Sequence, residues 1–212
     1  MLKVWQSPQL VLSQTCGYPF RTLLHEKVSL IGTPDYRVMG CPPGYYCSAI
    51  VVRESDERRN MEELDGALMA YNDPMSQSGW AAPQTYAEEL GLQLLPGPRT
   101  GGHRASAIAV LEDRADLAAL DAVTHRLLQR EEPELMEGLR VLAFTHATPG
   151  LPLIAAKSAA EHMTFALVNA AIEAMTPEDR EYLGIHDLIQ IEAGEYLEVP
   201  NPPSPDEIRA RM

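Results

Sequence analysis

The sequence predicts an α/β protein with mostly parallel sheets. Short apolar and β-branched runs alternate with segments that carry apolar residues at helical spacing, and this alternation is typical of strands joined by crossover helices. The 212 residues are enough for one large domain or for two compact lobes. Hydrophobic residues make up 45% of the chain and charged residues 22%, as in ordinary globular proteins.

The first series of elements covers about the first quarter of the chain. Apolar runs predict strands at residues 10–14, 28–32 and 45–53, the last being rich in aromatic and β-branched residues. A turn at residues 15–19 leads into a predicted helix at 20–25, and residues 54–60 form a charged loop.

The second series repeats the alternation and ends in a proline-rich segment. Strands are predicted at residues 67–72, 115–121, 139–144 and 151–155, and helices at 61–66, 80–90, 107–112, 123–129 and 159–175. The prolines of residues 200–205 predict a loose tail after the packed region.

Charge and cysteine usage exclude several classes of function. A net charge of −13 argues against a nucleic-acid or anionic-membrane surface. No apolar run has the length of a transmembrane helix, and the first residues lack the apolar core of a signal peptide. The three cysteines, Cys16, Cys41 and Cys47, form no Cys-x-x-Cys pair and have no histidine cluster at zinc spacing. We expect no metal and no cofactor.

Four loops follow predicted strands and are the candidates for a ligand site. In open α/β sheets, ligands lie beyond the carboxyl ends of the strands, where loops lead into helix N-termini. This rule selects the loops around Gln14, Ser76, His103 and Asp121. An acidic protein can bind an anion there through backbone N–H groups.

Each of these loops also has a simpler interpretation. Ser76, Gln77 and Ser78 precede a predicted helix, where their hydroxyl and N–H groups suit an anion but also suit ordinary N-capping. His103 follows two glycines, where it is either an oxyanion donor or a solvated loop residue. Asp121 is either a helix cap or an acceptor for a ligand amine or protonated oxygen.

An enzyme is a weaker alternative. Cys16 would be the nucleophile, His103 the base and Asp121 the group that orients the base. Cys16 lies before Gly17 at a loop–helix junction, which favours a lower thiol pKa. These residue types are scattered along the chain, so this interpretation stays the minority one.

The ordered set of segments resembles the phosphate/phosphonate-binding family of ABC-transporter periplasmic solute-binding proteins, which have the type II periplasmic binding fold. The resemblance covers nearly the whole chain. Its segments are residues 12–19 (Leu-Ser-Gln-Thr-Cys-Gly-Tyr-Pro), 32–36 (Gly-Thr-Pro-Asp-Tyr), 45–53, 64–66 (Leu-Asp-Gly), 76–79 (Ser-Gln-Ser-Gly), 102–103 (Gly-His), 115–121 and 149–152 (Pro-Gly-Leu-Pro).

The resemblance implies a two-lobe fold that closes on a small oxyanion. Lobe one would comprise residues 1–54 and 150–212, and lobe two residues 55–149. Ser76, Gln77 and Ser78 would cradle the anion, His103 would donate to it, and Asp121 would line the pocket. Gln14 and Tyr36 would be the lobe-one contacts. The implied function is the binding component of an importer for phosphate or a phosphonate, and the alternative is a ligand-sensing receptor that uses the same cleft.

The resemblance also sets expectations for partners and location. It implies a small oxyanion ligand, an ABC permease as partner and a periplasmic location, whereas a chain without a signal peptide is also compatible with the cytoplasm. Family members carry a further strand and helix before the segment at residues 10–14. We therefore expect an upstream extension or a homodimer that covers the gap. In an exported protein, a Cys16–Cys41 disulfide is expected, with Cys47 a buried thiol.

Overall fold

The computed structural model describes residues 2–211, in which strands and helices alternate. The strands are β1 (Ser13–Gln14), β2 (Val28–Asp35), β3 (Tyr45–Tyr46), β4 (Ser48–Arg53), β5 (Leu68–Tyr71), β6 (Leu95–Arg99), β7 (Leu117–Asp121), β8 (Leu139–Phe144), β9 (Thr148–Pro149), β10 (Leu153–Ala156) and β11 (Asp187–Ile189). The α-helices are α1 (Leu2–Trp5), α2 (Gly17–Pro19), α3 (Ala82–Glu89), α4 (His103–Leu111), α5 (Ala122–Glu131), α6 (Pro133–Glu137), α7 (Phe165–Glu173), α8 (Pro177–Leu183), α9 (Ala193–Leu197) and α10 (Pro205–Arg209).

Short helical turns of other types extend or join these helices. The π-helical turn Phe20–Leu24 continues α2. A second π-helical turn, Gln77–Ala81, leads directly into α3. The 3₁₀ turn Glu62–Leu64 lies between β4 and β5, and the 3₁₀ turn Lys157–Ala159 directly follows β10.

The chain forms two compact units. Unit 1 contains the chain up to Tyr46 together with Ala147–Val199, and unit 2 contains Cys47–His146 together with the chain from Pro200 onward.

Unit 1 is built on an antiparallel sheet with the strand order β1-β10-β2-β11. Its core lies between this sheet and the segment Gly17–Leu24, where Phe20, Leu24 and Ile154 are almost completely buried. The ring of Tyr196 packs edge-on against Phe20 at 5.0 Å between ring centres. This packing fixes the loop that follows β1.

Unit 2 is built on a five-stranded mixed sheet with the order β6-β5-β7-β4-β8. β5 runs parallel to β6 and β7, whereas β4 pairs antiparallel with β7 and β8. Helix α4 packs against β7 and β5, which buries small residues such as Ala107, Ala109 and Ala118. The three parallel strands are each followed by a loop that leads into a helix, and this places three helix starts at one edge of the sheet.

The α/β class is confirmed, and the strand pairing corrects the expectation of mostly parallel sheets. Only the β5–β6 and β5–β7 pairs are parallel among the residues described, because β4 enters unit 2 in the opposite direction and separates β7 from β8. The predicted strand at 45–53 is interrupted at Cys47, so that β3 belongs to unit 1 and β4 to unit 2.

The domain boundaries also differ from the predicted 1–54 plus 150–212 and 55–149. The residues from Pro200 onward belong to unit 2 instead of lobe one, and they do not form a loose tail. The indole N–H of Trp80 donates to the carbonyl of Pro203 at 3.1 Å, and α10 begins with Ser204 as its cap. All three cysteines are thiols, so the expected Cys16–Cys41 disulfide is not formed, and Cys47 is buried as predicted.

Candidate functional site

The carboxyl ends of three neighbouring strands bring the predicted unit 2 residues to one edge of the sheet. β5 leads through a turn to Ser76, Gln77 and Ser78, β6 leads to α4 and β7 leads to α5. His103 is the first residue of α4, and Asp121 is the last residue of β7. Since parallel strands end at the same edge, these loops lie together.

The turn that begins at Asp73 is held by its own side chains and starts a helix at Gln77. The N–H of Ser76 donates to the carbonyl of Asp73 at 3.0 Å. The hydroxyl of Ser76 accepts the N–H of Gly79 at 3.0 Å, which makes Ser76 the N-cap. The N–H groups of Gln77 and Ser78 belong to the first turn, where no helix carbonyl precedes them. All three residues of the Ser76–Ser78 segment are buried.

Gly79 allows two side chains to approach this turn closely. A Cβ atom at Gly79 would lie 2.0 Å from Oδ1 of Asn72 and 3.2 Å from Cε1 of His103. The first distance is shorter than a carbon atom tolerates and the second is tight, so any larger residue here displaces the Asn72 side chain and presses on His103. The glycine therefore permits the close packing of the turn against the ends of β5 and α4.

The side chain of His103 links Ser78 to the central strand β7. Its Nδ1 lies 3.1 Å from the carbonyl oxygen of Ala119, and its Nε2 lies 3.0 Å from the hydroxyl of Ser78. A carbonyl only accepts, so Nδ1 carries the proton that makes the first of these bonds. In the neutral ring, Nε2 then accepts the Ser78 hydroxyl proton. The amide nitrogen of Asn72 lies 3.4 Å from the same Nε2.

Burial keeps His103 neutral. The loss of hydration lowers the pKa of His103 below its ordinary value, and this effect outweighs the attraction of the Asp121 carboxylate and the hydrogen bond to Ala119. At neutral pH the ring is therefore an acceptor toward Ser78. The histidine positions the serine hydroxyl in the absence of a charged ligand.

Asp121 and Ser48 tie the same edge together from β7 and β4. Oδ1 of Asp121 accepts the N–H groups of Val123 and Thr124 at 2.7 and 2.9 Å, which caps α5. Ser48 lies opposite Asp121 in the sheet and donates its hydroxyl to the carbonyl of Ser78 at 2.9 Å. The cap interpretation of Asp121 is thus confirmed, and Ser48 fixes the backbone of the Ser76–Ser78 turn.

In unit 1 the two predicted residues contact each other. The side-chain amide of Gln14 donates to the hydroxyl of Tyr36 at 2.9 Å and to the carbonyl of Leu151 at 3.1 Å. Gln14 is the last residue of β1, and Tyr36 directly follows β2, so the fold brings together two residues that are distant in sequence. Tyr36 is buried and Gln14 is partly buried.

The three residues of the enzyme alternative do not belong to one unit. Cys16 belongs to unit 1, whereas His103 and Asp121 belong to unit 2. Both ring nitrogens of His103 are engaged by Ala119 and Ser78. Within residues 2–211 there is no group of histidine, cysteine and carboxylate side chains suited to a metal ion.

Two contributors to the site were not selected from the sequence. Asn72 directly follows β5 and lies next to His103, and Ser48 begins β4 opposite Asp121. Asn72 gave a signal, since it ends the strand predicted at residues 67–72 and precedes the serine turn. Ser48 gave none, because its contact with Ser78 depends on the antiparallel pairing of β4 with β7.

Searches of known proteins give a family match and several structures of the same fold. Residues 12–196 match the family model described as ABC transporter, phosphonate, periplasmic substrate-binding protein. No curated protein matches the sequence. No helix within residues 2–211 has the length and apolarity needed to cross a lipid bilayer.

Three solved structures illustrate the similarity. PhnD1 from Prochlorococcus marinus in complex with methylphosphonate has a TM-score of 0.76 at 14% identity, over 99% of this chain and 81% of that one. The binding protein component of an ABC phosphonate transporter from Pseudomonas aeruginosa has a TM-score of 0.72 at 15% identity, over 92% and 69%. XAC2383 from Xanthomonas citri bound to chloride has a TM-score of 0.70 at 12% identity, over 99% and 82%. At these identities the structures show the fold alone.

Proposed function

Because the chain belongs to the family of periplasmic phosphonate-binding proteins of ABC transporters, we propose that it binds a phosphonate or phosphate at the Ser76–Gly79 turn and delivers it to an ABC permease. This family consists of substrate-binding proteins and not of enzymes. The observation that carries the assignment to this turn is the contact between buried Ser78 and partly buried His103, 3.0 Å apart, at the start of a helix.

The helix start supplies donors that need no positive side chain. The N–H groups of Gln77 and Ser78 lie in the first turn, at the positive end of the helix that continues through α3. Hydrogen bonds to a charged group contribute roughly 1.5–3 kcal/mol each. A few such bonds suffice to hold an oxyanion in a protein with a net charge of −13.

His103 has an indirect role in this proposal. In the neutral ring, Nε2 accepts the hydroxyl proton of Ser78, which therefore does not point at an anion. When an anion binds, its charge favours the protonated ring. The Nε2–H group then donates to the Ser78 oxygen, and the hydroxyl proton turns to the ligand. The expected direct donation by His103 is thus replaced by donation through Ser78.

The remaining predicted residues have supporting roles. Asp121 holds the start of α5 and lines the same edge of unit 2, and Gln14 and Tyr36 provide the ligand contacts of unit 1. PhnD1, which shares the fold, was solved with methylphosphonate, and this supports the choice of ligand class. A homodimer stays a prediction that light scattering tests.

Titration calorimetry with methylphosphonate, an aminophosphonate and inorganic phosphate tests the binding proposal, with methanesulfonate and chloride as controls. We expect saturable binding of at least one phosphorus oxyanion and weaker binding of both controls. Protein that binds the sulfonate in preference to every phosphorus anion would contradict it. The importer role has a separate test, which is growth of a deletion strain on the bound phosphonate as the phosphorus source.

A further inference from the structure

The lysines of this arginine-rich protein are concentrated in one part of unit 1. The chain contains only three lysines, Lys3, Lys27 and Lys157, among 17 basic residues. Lys3 lies in α1, which packs against β10, and Lys157 directly follows β10. Lys27 directly precedes β2, the strand that pairs with β10. Positive charge therefore collects at one end of this strand pair, in a protein that is otherwise strongly acidic.

Lys27 and Lys157 flank the last residue pair of the ladder. The antiparallel register ends at Val28 and Ala156; Lys27 directly precedes Val28 in a turn, and Lys157 directly follows Ala156 at the start of the 3₁₀ turn Lys157–Ala159. Both lysines are exposed, and like charges held close together repel each other. Neither ammonium group forms a salt bridge with any residue of the described part of the chain, 2–211.

A cavity of about 270 Å³ lies at the same place, and both lysines line it. The other lining groups include Trp5, Ser7, Pro8 and Ser158. The hydroxyl of Ser7 accepts the N–H of Gln9 at 3.2 Å, which leaves its hydrogen as a donor. The Trp5 indole is fixed by its hydrogen bond to the Ser13 hydroxyl at 3.2 Å. The cavity therefore combines two cations, a hydroxyl donor and one rigid aromatic wall.

We propose that this cavity is a second anion site, which binds a small phosphate-type dianion between Lys27 and Lys157. Two negative charges would compensate the two ammonium groups that line the same cavity. At about 270 Å³, the cavity is just below the range of roughly 300–1,000 Å³ for drug-sized ligands, so the occupant is small.

The second site is separate from the residues proposed to bind the transported ligand. Lys27 precedes β2 and Tyr36 follows it, so the two residues lie at opposite ends of the strand. At about 3.3 Å per residue, nine residues of strand separate them by about 30 Å. The Ser76 turn belongs to unit 2. Loss of one site therefore leaves the other intact.

Titration with inorganic phosphate, followed by the indole N–H resonances of the two tryptophans, tests the proposal. The titration uses the full chain carrying Ser76→Ala and Ser78→Ala, so that binding at the serine turn is weakened. Trp5 lines the cavity, whereas Trp80 lies in the turn Gln77–Ala81, so a shift of Trp80 reports residual binding at that turn. We expect a saturable shift of the Trp5 resonance, with an affinity at least tenfold weaker after Lys27→Gln and Lys157→Gln.

Two further variants serve as controls. Lys3→Gln removes the remaining lysine, which does not line the cavity, and is expected to keep the wild-type affinity for phosphate. Replacing both cavity lysines by arginine keeps the charges and is expected to retain binding within about tenfold, the factor that corresponds to 1.4 kcal/mol. A Trp5 shift that chloride reproduces at equal ionic strength, or that is unchanged in the double glutamine variant, would overturn the proposal.

Discussion

The hydroxyl of Ser78 lies 3.0 Å from Nε2 of His103, and the opposite ring nitrogen lies 3.1 Å from the carbonyl of Ala119. This chain of contacts connects the helical turn Gln77–Ala81 to the central strand of unit 2, β7. It fixes the tautomer of the histidine and the orientation of the serine. The predictions on unit 2 follow from this arrangement.

Gly79→Ala should disrupt the site, since the new Cβ atom would lie 2.0 Å from Oδ1 of Asn72. We expect a loss of about 1–3 kcal/mol in the free energy of unfolding, as for other overpacked positions. Gly102→Ala is the matched control, because a Cβ atom there meets nothing within 4 Å. Urea unfolding of the two variants is the measurement. Equal stability of both would show that Asn72 and His103 do not restrict this position.

The stability of unit 2 should decrease as the pH falls through the ordinary range of histidine. Burial lowers the pKa of His103 in the folded protein, so the unfolded chain takes up the proton more readily. Burial also lowers the pKa of His125, with the same sign. The stability that neutral His103 provides is present above pH about 6.5 and is lost below it.

The pH dependence is measured by urea unfolding between pH about 7.5 and about 5.5. One proton contributes a slope of at most about 1.4 kcal/mol per pH unit. His103→Gln should reduce the slope, whereas substitution of the exposed His162 by glutamine is the control for the loss of an imidazole. A slope in His103→Gln equal to that of the wild type would contradict the buried, neutral state.

Asp121→Ala should destabilise the protein by about 1–2 kcal/mol, because the carboxylate accepts two N–H groups at the start of α5. Asp121→Ser keeps an oxygen for the cap and should recover most of this loss. Thermal or urea unfolding of the three proteins measures it. If the serine variant were no more stable than the alanine variant, capping would not be the main role of this carboxylate.

The alternation of apolar patterns predicted most strands of unit 2 but missed β6. Its sequence, Leu-Pro-Gly-Pro-Arg at residues 95–99, lacks the donors of a central strand. The strand forms because it lies at the edge of the sheet, where only one side pairs with β5. A pattern that reads each segment alone does not identify an edge position, so this strand could not be predicted locally.

The C-terminal segment shows the opposite case, in which a local signal was present. Ser204 and Glu207 form a capping box, and Pro205 is the first helical residue of α10. The prolines of residues 200–205 predicted a loose tail, and that prediction is wrong. The segment is ordered by packing against unit 2, where Pro203 accepts the Trp80 indole N–H.

The sequence predicted which residues form the candidate site, but only part of the hydrogen bonds between them. The rule that ligands lie at the carboxyl ends of strands selected Ser76, His103 and Asp121, which the structure brings to one edge of the sheet. The direction of the His103 hydrogen bonds could not be predicted, since it depends on the Ala119 carbonyl in the neighbouring strand. Pairing between distant segments decides such contacts.

The central claim is that the turn at Ser76 and Ser78 binds the oxyanion, and calorimetry of the double variant Ser76→Ala/Ser78→Ala tests it most directly. We expect phosphonate or phosphate binding to weaken at least tenfold, which corresponds to about 1.4 kcal/mol. Stability should fall by only about 1 kcal/mol for the lost cap. Thr164→Ala, which removes the cap of α7 in unit 1, is the matched control and should keep the wild-type affinity. Equal affinities in the double variant and the wild type would contradict the claim and leave both serines with a structural role alone.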